Sequence, residues 1–396
     1  MINPTTYENM SEGLIVEGES VVYNVALALK TLNKAVIQDP GNLARAKNKY
    51  NKTIQKIALN FKINSNKWIN NELPNAYIIG IKSSDSEIRN IGGTGKATNE
   101  IIRGSSLIKS PPPIAPIPEI PGQILLSFEG YAKHTEFFGV FRAAAYYSLD
   151  DKPFQIMRKA DDLFRQVAVQ VGEKSFKEGD IITRRELSQK LLNEYAKKGL
   201  QAVTYKDGRR MSIDNYCEML GRTLTGRCAL QASINRYVER GYNLGVVSAH
   251  FRSCDLCTPY EGVTLSMDGK DKRYESIWDA ELQGLWHVSC KHDISPFFEG
   301  ITPELDIRVD RAEQKLIDEH GYKDAQKIAY NAQQKQRYIE RQIRKYKRRD
   351  IVALDEVSQK RAKNKISEWQ KRQRDHLKEN TFLPRKYSRE QIKSAH

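Results

Sequence analysis

Six prolines fall within the eleven residues from Pro111 to Pro121, in the run PPPIAPIPEIP. Their rings lock φ and remove backbone N–H groups, so no helix can pass through, and extended polyproline-like backbone is favoured. Any globular structure must therefore be assembled from the residues on either side of the run. The run itself is expected to be a stiff spacer or a strap across another subunit, with an SH3-type ligand the rarer use of the same composition. The chain reads as residues 1–110, an N-terminal helical hairpin and flexible loop; 111–122, a Pro-rich linker; 123–245, a helical core; 246–305, a Cys/His loop region; and 306–396, basic C-terminal helices.

Before the run, Val21, Val22, Val25, Ala26, Leu29 and Leu32 recur at helical spacing, and a second amphipathic stretch runs from Leu43 to Phe61 after Pro40 and Gly41. This is the hairpin. Gly92-Gly93-Thr94-Gly95-Lys96-Ala97-Thr98 invites a phosphate-loop reading, but Asn90 and Ala97 stand where the motif needs Gly and Ser or Thr, which leaves a flexible loop.

After the run, Ile156, Ala160, Leu163, Val167 and Val171 share a face, and Thr183 and Glu186 have capping-box spacing at the start of the next helix. Tyr205 to Arg210 supplies a turn, and Ser212 to Arg240 reads as a helix with Leu220, Leu224, Cys228, Ala232 and Val238 inward and Cys217 a buried thiol. Leu244 to Ala249 reads as a strand entering a loop. Beyond Pro303 a narrow stripe of Ile339, Ile343, Tyr346, Leu354, Val357, Ile366, Trp369 and Leu377 suits long helices laid on a partner or paired once. The expected class is mainly α with a small α+β metal-loop region, elongated and built from several segments. The middle, Gln123 to about Leu305, is expected to fold without the tail.

Five cysteines are too few for a disulfide scaffold in a chain of 396 residues, which fits a reducing compartment. Three of them are concentrated with two histidines. Cys254-Asp255-Leu256-Cys257 is followed by His287-Val288-Ser289-Cys290-Lys291-His292. Two thiols at C-x2-C can chelate one ion from a tight turn, and H-x2-C supplies further ligands from a second, so Cys254, Cys257, His287 and Cys290 form a closed, structural zinc set, with His287 preferred over His292. The alternative is a group of reduced thiols and hydrogen-bonded histidines. A nucleophilic cysteine, or a metal-activated water with Glu261 or Glu281 as base, would need an open position that spacing does not supply; no catalytic residue is assigned, and the chain is not expected to be an enzyme.

The net charge of +15 is concentrated at one end: residues 311–396 hold 24 basic and 12 acidic side chains, leaving 40 against 37 for the rest. Such a tail suits a polyanionic partner, nucleic acid foremost, or serves only as a solvated face. Arg337, Arg341, Arg344, Lys345, Lys347, Arg348 and Arg349 are the expected non-specific contacts to double-stranded DNA phosphates. No apolar run reaches the roughly 18 residues of a membrane span, and Glu8, Glu12, Glu17 and Glu19 replace a basic leader, which argues against a membrane or secretory reading.

Three separated motifs then fall in order: Val247-Ser248-Ala249-His250 with Tyr260-Glu261-Gly262-Val263; Cys290-Lys291-His292 closing on Pro296 to Ile301; and Gln336 to Arg348 with its Gln-Arg-x2-Glu-Arg-x-Ile-Arg pattern. Over roughly residues 150–370 the chain resembles the phage minor capsid protein 2 family, and more distantly the Mu F-like minor head proteins, which the Cys254/Cys257 pair resembles more closely. The resemblance implies a head-morphogenesis protein in the virion, associated with the portal protein inside the capsid, meeting major capsid or scaffold protein and packaged DNA, and present in the host cytoplasm during assembly. The competing class is an enzyme carried in the head, either a metal-dependent nuclease or an ADP-ribosyltransferase-like effector.

Overall fold

The computed structural model describes residues 4–39, 43–92, 134–172, 184–300, 302 and 309–393. The Pro-rich run, the glycine-rich motif beyond Gly92, and Thr183 lie outside the described residues. The fold is mainly α. Helices α1 (Pro4–Gln38), α2 (Leu43–Gly92), α3 (His134–Leu149), α4 (Lys152–Gly172) and α5 (Arg184–Lys198) precede a short hairpin, β1 (Val203–Thr204) and β2 (Arg210–Met211). Helix α6 (Ile213–Glu239) leads into β3 (Leu244–Val247), β4 (Thr264–Ser266), α7 (Ile277–Leu282) and β5 (Ile294–Pro296). Helices α8 (Arg311–His320), α9 (Tyr322–Ile351) and α10 (Glu356–Glu379) close the chain. Among the described residues no helix is long and apolar enough to cross a membrane.

Packing gathers these elements into two compact units, each drawn from three stretches: unit 1 from Met1–Glu12, Lys67–Ser148 and Met219–Tyr330, unit 2 from Gly13–Asn66, Leu149–Glu218 and Asn331–His396. In unit 1 the second half of α2 lies on α6, with Ile69, Leu73 and Ala76 buried on one and Leu220, Leu224, Cys228 and Ala232 on the other. Gly80 permits the close approach, since a Cβ there would collide with the Ala229 carbonyl. The amphipathic pattern runs to Phe61 and the helical reading to Asn75, yet α2 continues through Pro74 to Gly92. Tertiary bonds outweigh the weak helix preference of its Ser- and Asn-rich end: Arg236 Nε donates to Asp85 at 2.7 Å, and the Tyr237 hydroxyl to Glu87 at 2.6 Å. The sheet of this unit has β3 at its centre, antiparallel to β4 on one side and to β5 on the other.

In unit 2, α1 buries Val21, Val22, Val25, Leu29 and Leu32, and α2, α4 and α5 bury Ile54, Phe61, Ile156 and Leu192. Each such side chain contributes about 1.5–3 kcal/mol by leaving water. Two buried tyrosines tie helices by their hydroxyls, Tyr50 to the Ala160 carbonyl at 3.0 Å and Tyr195 to the Val22 carbonyl at 2.8 Å. The expected turn is the β1–β2 hairpin, where Gly208 takes φ +81° and Asp207 accepts the Arg209 N–H at 2.9 Å. The second half of α9 pairs with α10: the Tyr338 and Trp369 rings meet edge to face at 5.8 Å, and His376 Nε2 bonds the Ala332 carbonyl at 2.9 Å. Ile339 and Ile343 are buried as expected, but Val357 is 60% exposed, and Ala362, Gln373 and His376 form the buried face of α10.

Candidate functional site

Two turns of the same construction bring the Cys/His residues together in unit 1. Cys257 N–H donates to the Cys254 carbonyl at 3.0 Å, and Cys290 N–H to the His287 carbonyl at 2.9 Å. The first turn runs into the 3-10 helix Thr258–Tyr260. The second is held in a rarer shape, with Trp286 at φ +52° and Ser289 at φ +61°, a left-handed conformation that side chains with a Cβ seldom adopt. Thr223 of α6 steadies it by accepting the Ser289 N–H at 3.1 Å. Strain of this kind persists where surrounding bonds over-determine it and is common at ligand sites.

The expected ligands and His292 form two groups of three that share Cys257: Cys254, Cys257 and His287, and Cys257, Cys290 and His292, the donor atoms of each group lying within 4.8 Å of one another. Cys254 Sγ lies 3.0 Å from His287 Nε2, Cys257 Sγ 3.5 Å from Cys290 Sγ, and Cys290 Sγ 3.3 Å from His292 Nδ1. Ligand atoms of a tetrahedral zinc sit roughly 3.3–3.8 Å apart, given metal bonds of about 2.0–2.3 Å, so the spacing within each group of three is close to what an ion needs, with Cys257 common to both. The rings present the right nitrogen. His287 Nδ1 bonds the Val288 carbonyl at 2.9 Å, and His292 Nε2 bonds Glu261 at 3.1 Å, which leaves His287 Nε2 and His292 Nδ1 as the ring nitrogens that face sulfur.

The protonation preferences are divided: two sulfurs favour the thiolate, while Cys257 keeps its proton and both histidines are raised, His287 chiefly by its bond with Cys254, so an ion binding here would displace protons. A hydrogen bond from Cys257 holds Cys254 down at about 3, with His287 adding to the effect. Cys290 is likewise held well below the ordinary thiol range, first by its bond with Cys257. Cys257, sharing its proton with both, is raised. Burial disfavours a charged His292, but its bonds to Cys290 and Glu261 outweigh burial and lift it to about 9. Two thiolate-favouring sulfurs around a third, facing two oriented imidazoles, form a donor set that fits zinc.

Glu261 and Gln326 complete the surroundings. Burial of Glu261 is outweighed by hydrogen bonds, and its carboxyl is held below the ordinary range. It accepts from His292, from His250 N–H at 2.7 Å and from Gln326 Nε2 at 3.0 Å. The C-x-H spacing of Cys290 and His292 was a visible signal for His292, whereas nothing local announces Gln326, which arrives from α9. The other carboxylate that could have served as a base, Glu281, is committed to Arg227 in a largely buried ion pair. An opening of about 690 Å³ between α1 and α2 is lined by Val21, Leu32, Tyr50 and Ile57 with Glu17 and Lys56, and no histidine or cysteine reaches it.

The seven basic residues of α9 meet different fates. Arg344 donates to the Arg389 carbonyl at 2.7 Å, Lys347 to Gln391 at 2.5 Å, and Arg348 to the Ala196 carbonyl at 3.0 Å with Asp214 at 3.4 Å. Lys345 and Arg349 lie over the Tyr346 ring at 5.1 and 5.2 Å. Arg337 is half-buried, and Arg341 is the exposed member.

No solved structure matches the chain. Among curated proteins, a structural protein of Lactococcus phage LL-H is 27% identical over 214 residues, covering 50% of this chain and 54% of that protein. A structural protein of Lactococcus phage mv4 is 30% identical over 128 residues, 30% of this chain and 93% of that one. The chain thus spans about half the length of the LL-H relative. The family profile described as phage minor capsid protein 2 matches residues 151–378, a stretch that holds the Cys/His turns and both basic helices, and the chain belongs to that family.

Proposed function

We propose that the chain is a minor structural component of the phage head, associated with the portal inside the capsid and touching packaged double-stranded DNA without sequence preference through its basic C-terminal helices. The observation that carries this reading is the family match across residues 151–378. The geometry supports a structural role: Glu261 and Glu281 are bonded within the protein, and the Cys/His donors face one another. Cys254, Cys257, His287 and Cys290 would hold zinc, with His292 beside Cys290, and the bound ion would act as a cross-link between the two turns. Localising the chain in purified heads by cryo-electron microscopy or antibody labelling tests the assignment. Density at the portal vertex on the capsid's inner side is expected, and a position on the outer shell or the tail would overturn it.

A further inference from the structure

Charge along α10 is sorted by face. Ala362, Gln373 and His376 are buried, and Trp369 packs on Tyr338. At about 100° per residue, these positions share one side of the helix. Lys360, Lys363, Lys371, Arg374 and Lys378 fall on the opposite side, and all five are exposed. They occupy a strip about 80° wide and, at about 1.5 Å per residue, about 27 Å long. Between Lys360 and Lys378 the only other residue in the strip is Ser367. Three carboxylates flank the strip: Glu368, which is neutralised by Lys365 at 2.6 Å and Arg372 at 2.8 Å, and the exposed Asp375 and Glu379. Among the described residues none of the five cations is paired with a carboxylate. On α9, by contrast, Arg344, Lys347 and Arg348 donate to groups of the protein itself.

We propose that this ridge on α10, rather than the basic run of α9, is the surface that receives the duplex phosphate backbone. The proposal rests on the DNA-contact reading above and relocates its residues. A straight row of cations about 27 Å long matches the rise of about eight base pairs. The ridge carries no aromatic side chain on which unpaired bases could stack, which favours duplex over single strand. Four of the five cations are lysines, point charges suited to phosphate contact and not to bidentate reading of base edges.

The test measures fluorescence anisotropy of two unrelated labelled duplexes with the full chain, across a salt series. Three forms are compared: wild type; Lys363→Gln, Lys371→Gln, Arg374→Gln on the ridge; and the charge-matched Lys327→Gln, Lys335→Gln, Arg341→Gln on exposed positions of α9. Circular dichroism confirms that each form is folded. Five phosphate contacts correspond to a log–log salt slope of about −4.5 for the wild type, and loss of three ridge cations should bring it to about −2. Affinity of the ridge variant at moderate salt should fall at least about tenfold, with the α9 variant keeping its slope within about one of the wild type. Equal binding by the ridge variant and the wild type overturns the ridge while leaving DNA contact intact. Failure of the folded wild type to bind duplex, with binding to anionic vesicles or to acidic portal protein instead, overturns ridge and DNA contact together.

Discussion

The Cys/His turns of unit 1 and the basic helices of unit 2 concentrate polar chemistry in opposite ways. In the turns, donors are turned toward each other: three sulfurs and two imidazoles within hydrogen-bonding distance of a neighbour, with Glu261 and Gln326 behind them. In the helices, like charges cannot converge, so a cation finds a carbonyl, a carboxylate or an aromatic ring of the protein, as Arg348 and Lys345 do, or stays in water, as Lys371 does. The first arrangement gains from anything that neutralises converging donors and the second from anything that neutralises diverging ones. A cation suits the turns, and a polyanion suits the outer face of α10.

The largest expected effect breaks the first side of the comparison. Freshly purified chain, never exposed to chelator, is expected to contain about one zinc per molecule by elemental analysis, and Cys257→Ser to lose it. Structural zinc can contribute on the order of 10 kcal/mol, so chelation should abolish amide protection around Cys254 and Cys290. Absence of zinc in such a preparation would show that the cluster is only a set of hydrogen-bonded thiols.

Next in size is the removal of the second side. A chain ending at Glu304 lacks α9 and α10 and with them the buried Ile339, Ile343 and Ala362 of unit 2. It also leaves groups on α5 without partners, since Gln189 accepts the Leu354 N–H at 2.8 Å and the Ala196 carbonyl accepts from Arg348. Sequence alone suggests that residues from Gln123 to about Leu305 fold without the tail; the packing leads to the expectation that this truncation loses several kcal/mol and unfolds non-cooperatively. A sharp thermal transition at the full-length temperature would refute that dependence.

A single-residue contrast sharpens the difference between the two basic helices. Arg348 and Asp214 have side chains 14% and 9% exposed, and Arg348→Ala leaves Asp214 and the Ala196 carbonyl short of a donor. A loss of about 2–3 kcal/mol is expected. Lys371→Ala, on the outer face of α10, should change stability by less than about 0.5 kcal/mol. Denaturant midpoints of the two variants decide it, and equal values would mean that the inward and outward cations are energetically alike.

These cases also show what could be read before folding. Cys254 and Cys257 are joined by one turn, as are His287 and Cys290, so covalent closeness nearly determines the geometry within each pair, whereas the meeting of the two turns and the place of His292 beside Cys257 and Cys290 depend on the fold. The inward face of α6, from Leu220 to Val238, was legible because its periodicity is strong and its residues apolar. The orientation of the cations on α9 was not, because it depends on Ala196, Asp214 and Arg389, which lie far away in sequence. A basic run gives a sum of charges, whereas the polar buried face of α10, with Gln373 and His376, has no hydrophobic period to mark which side is out. The helical end of α2 was missed for the same reason, its bonds to Arg236 and Tyr237 being supplied by α6.

An effect of about the same size as that of Arg348→Ala concerns a carboxyl that unit 2 holds away from water. Burial raises Glu19 from 4.5 to about 7, only partly opposed by Arg344 and by the Lys393 N–H, which it accepts at 2.9 Å. The folded state thus keeps a proton that the unfolded chain gives up near 4.5. Stability from this group is fully present below that value and is lost as pH rises through about 7, amounting to at most about 3 kcal/mol. Glu19→Gln removes the titration while retaining an acceptor for Lys393. Between pH 5 and pH 8, roughly the window spanned by the two pKa values, the wild type should lose more thermal stability than the variant. Parallel pH profiles for the two proteins would show that Glu19 titrates alike in both states, and that the C-terminal residues around Lys393 do not depend on its charge.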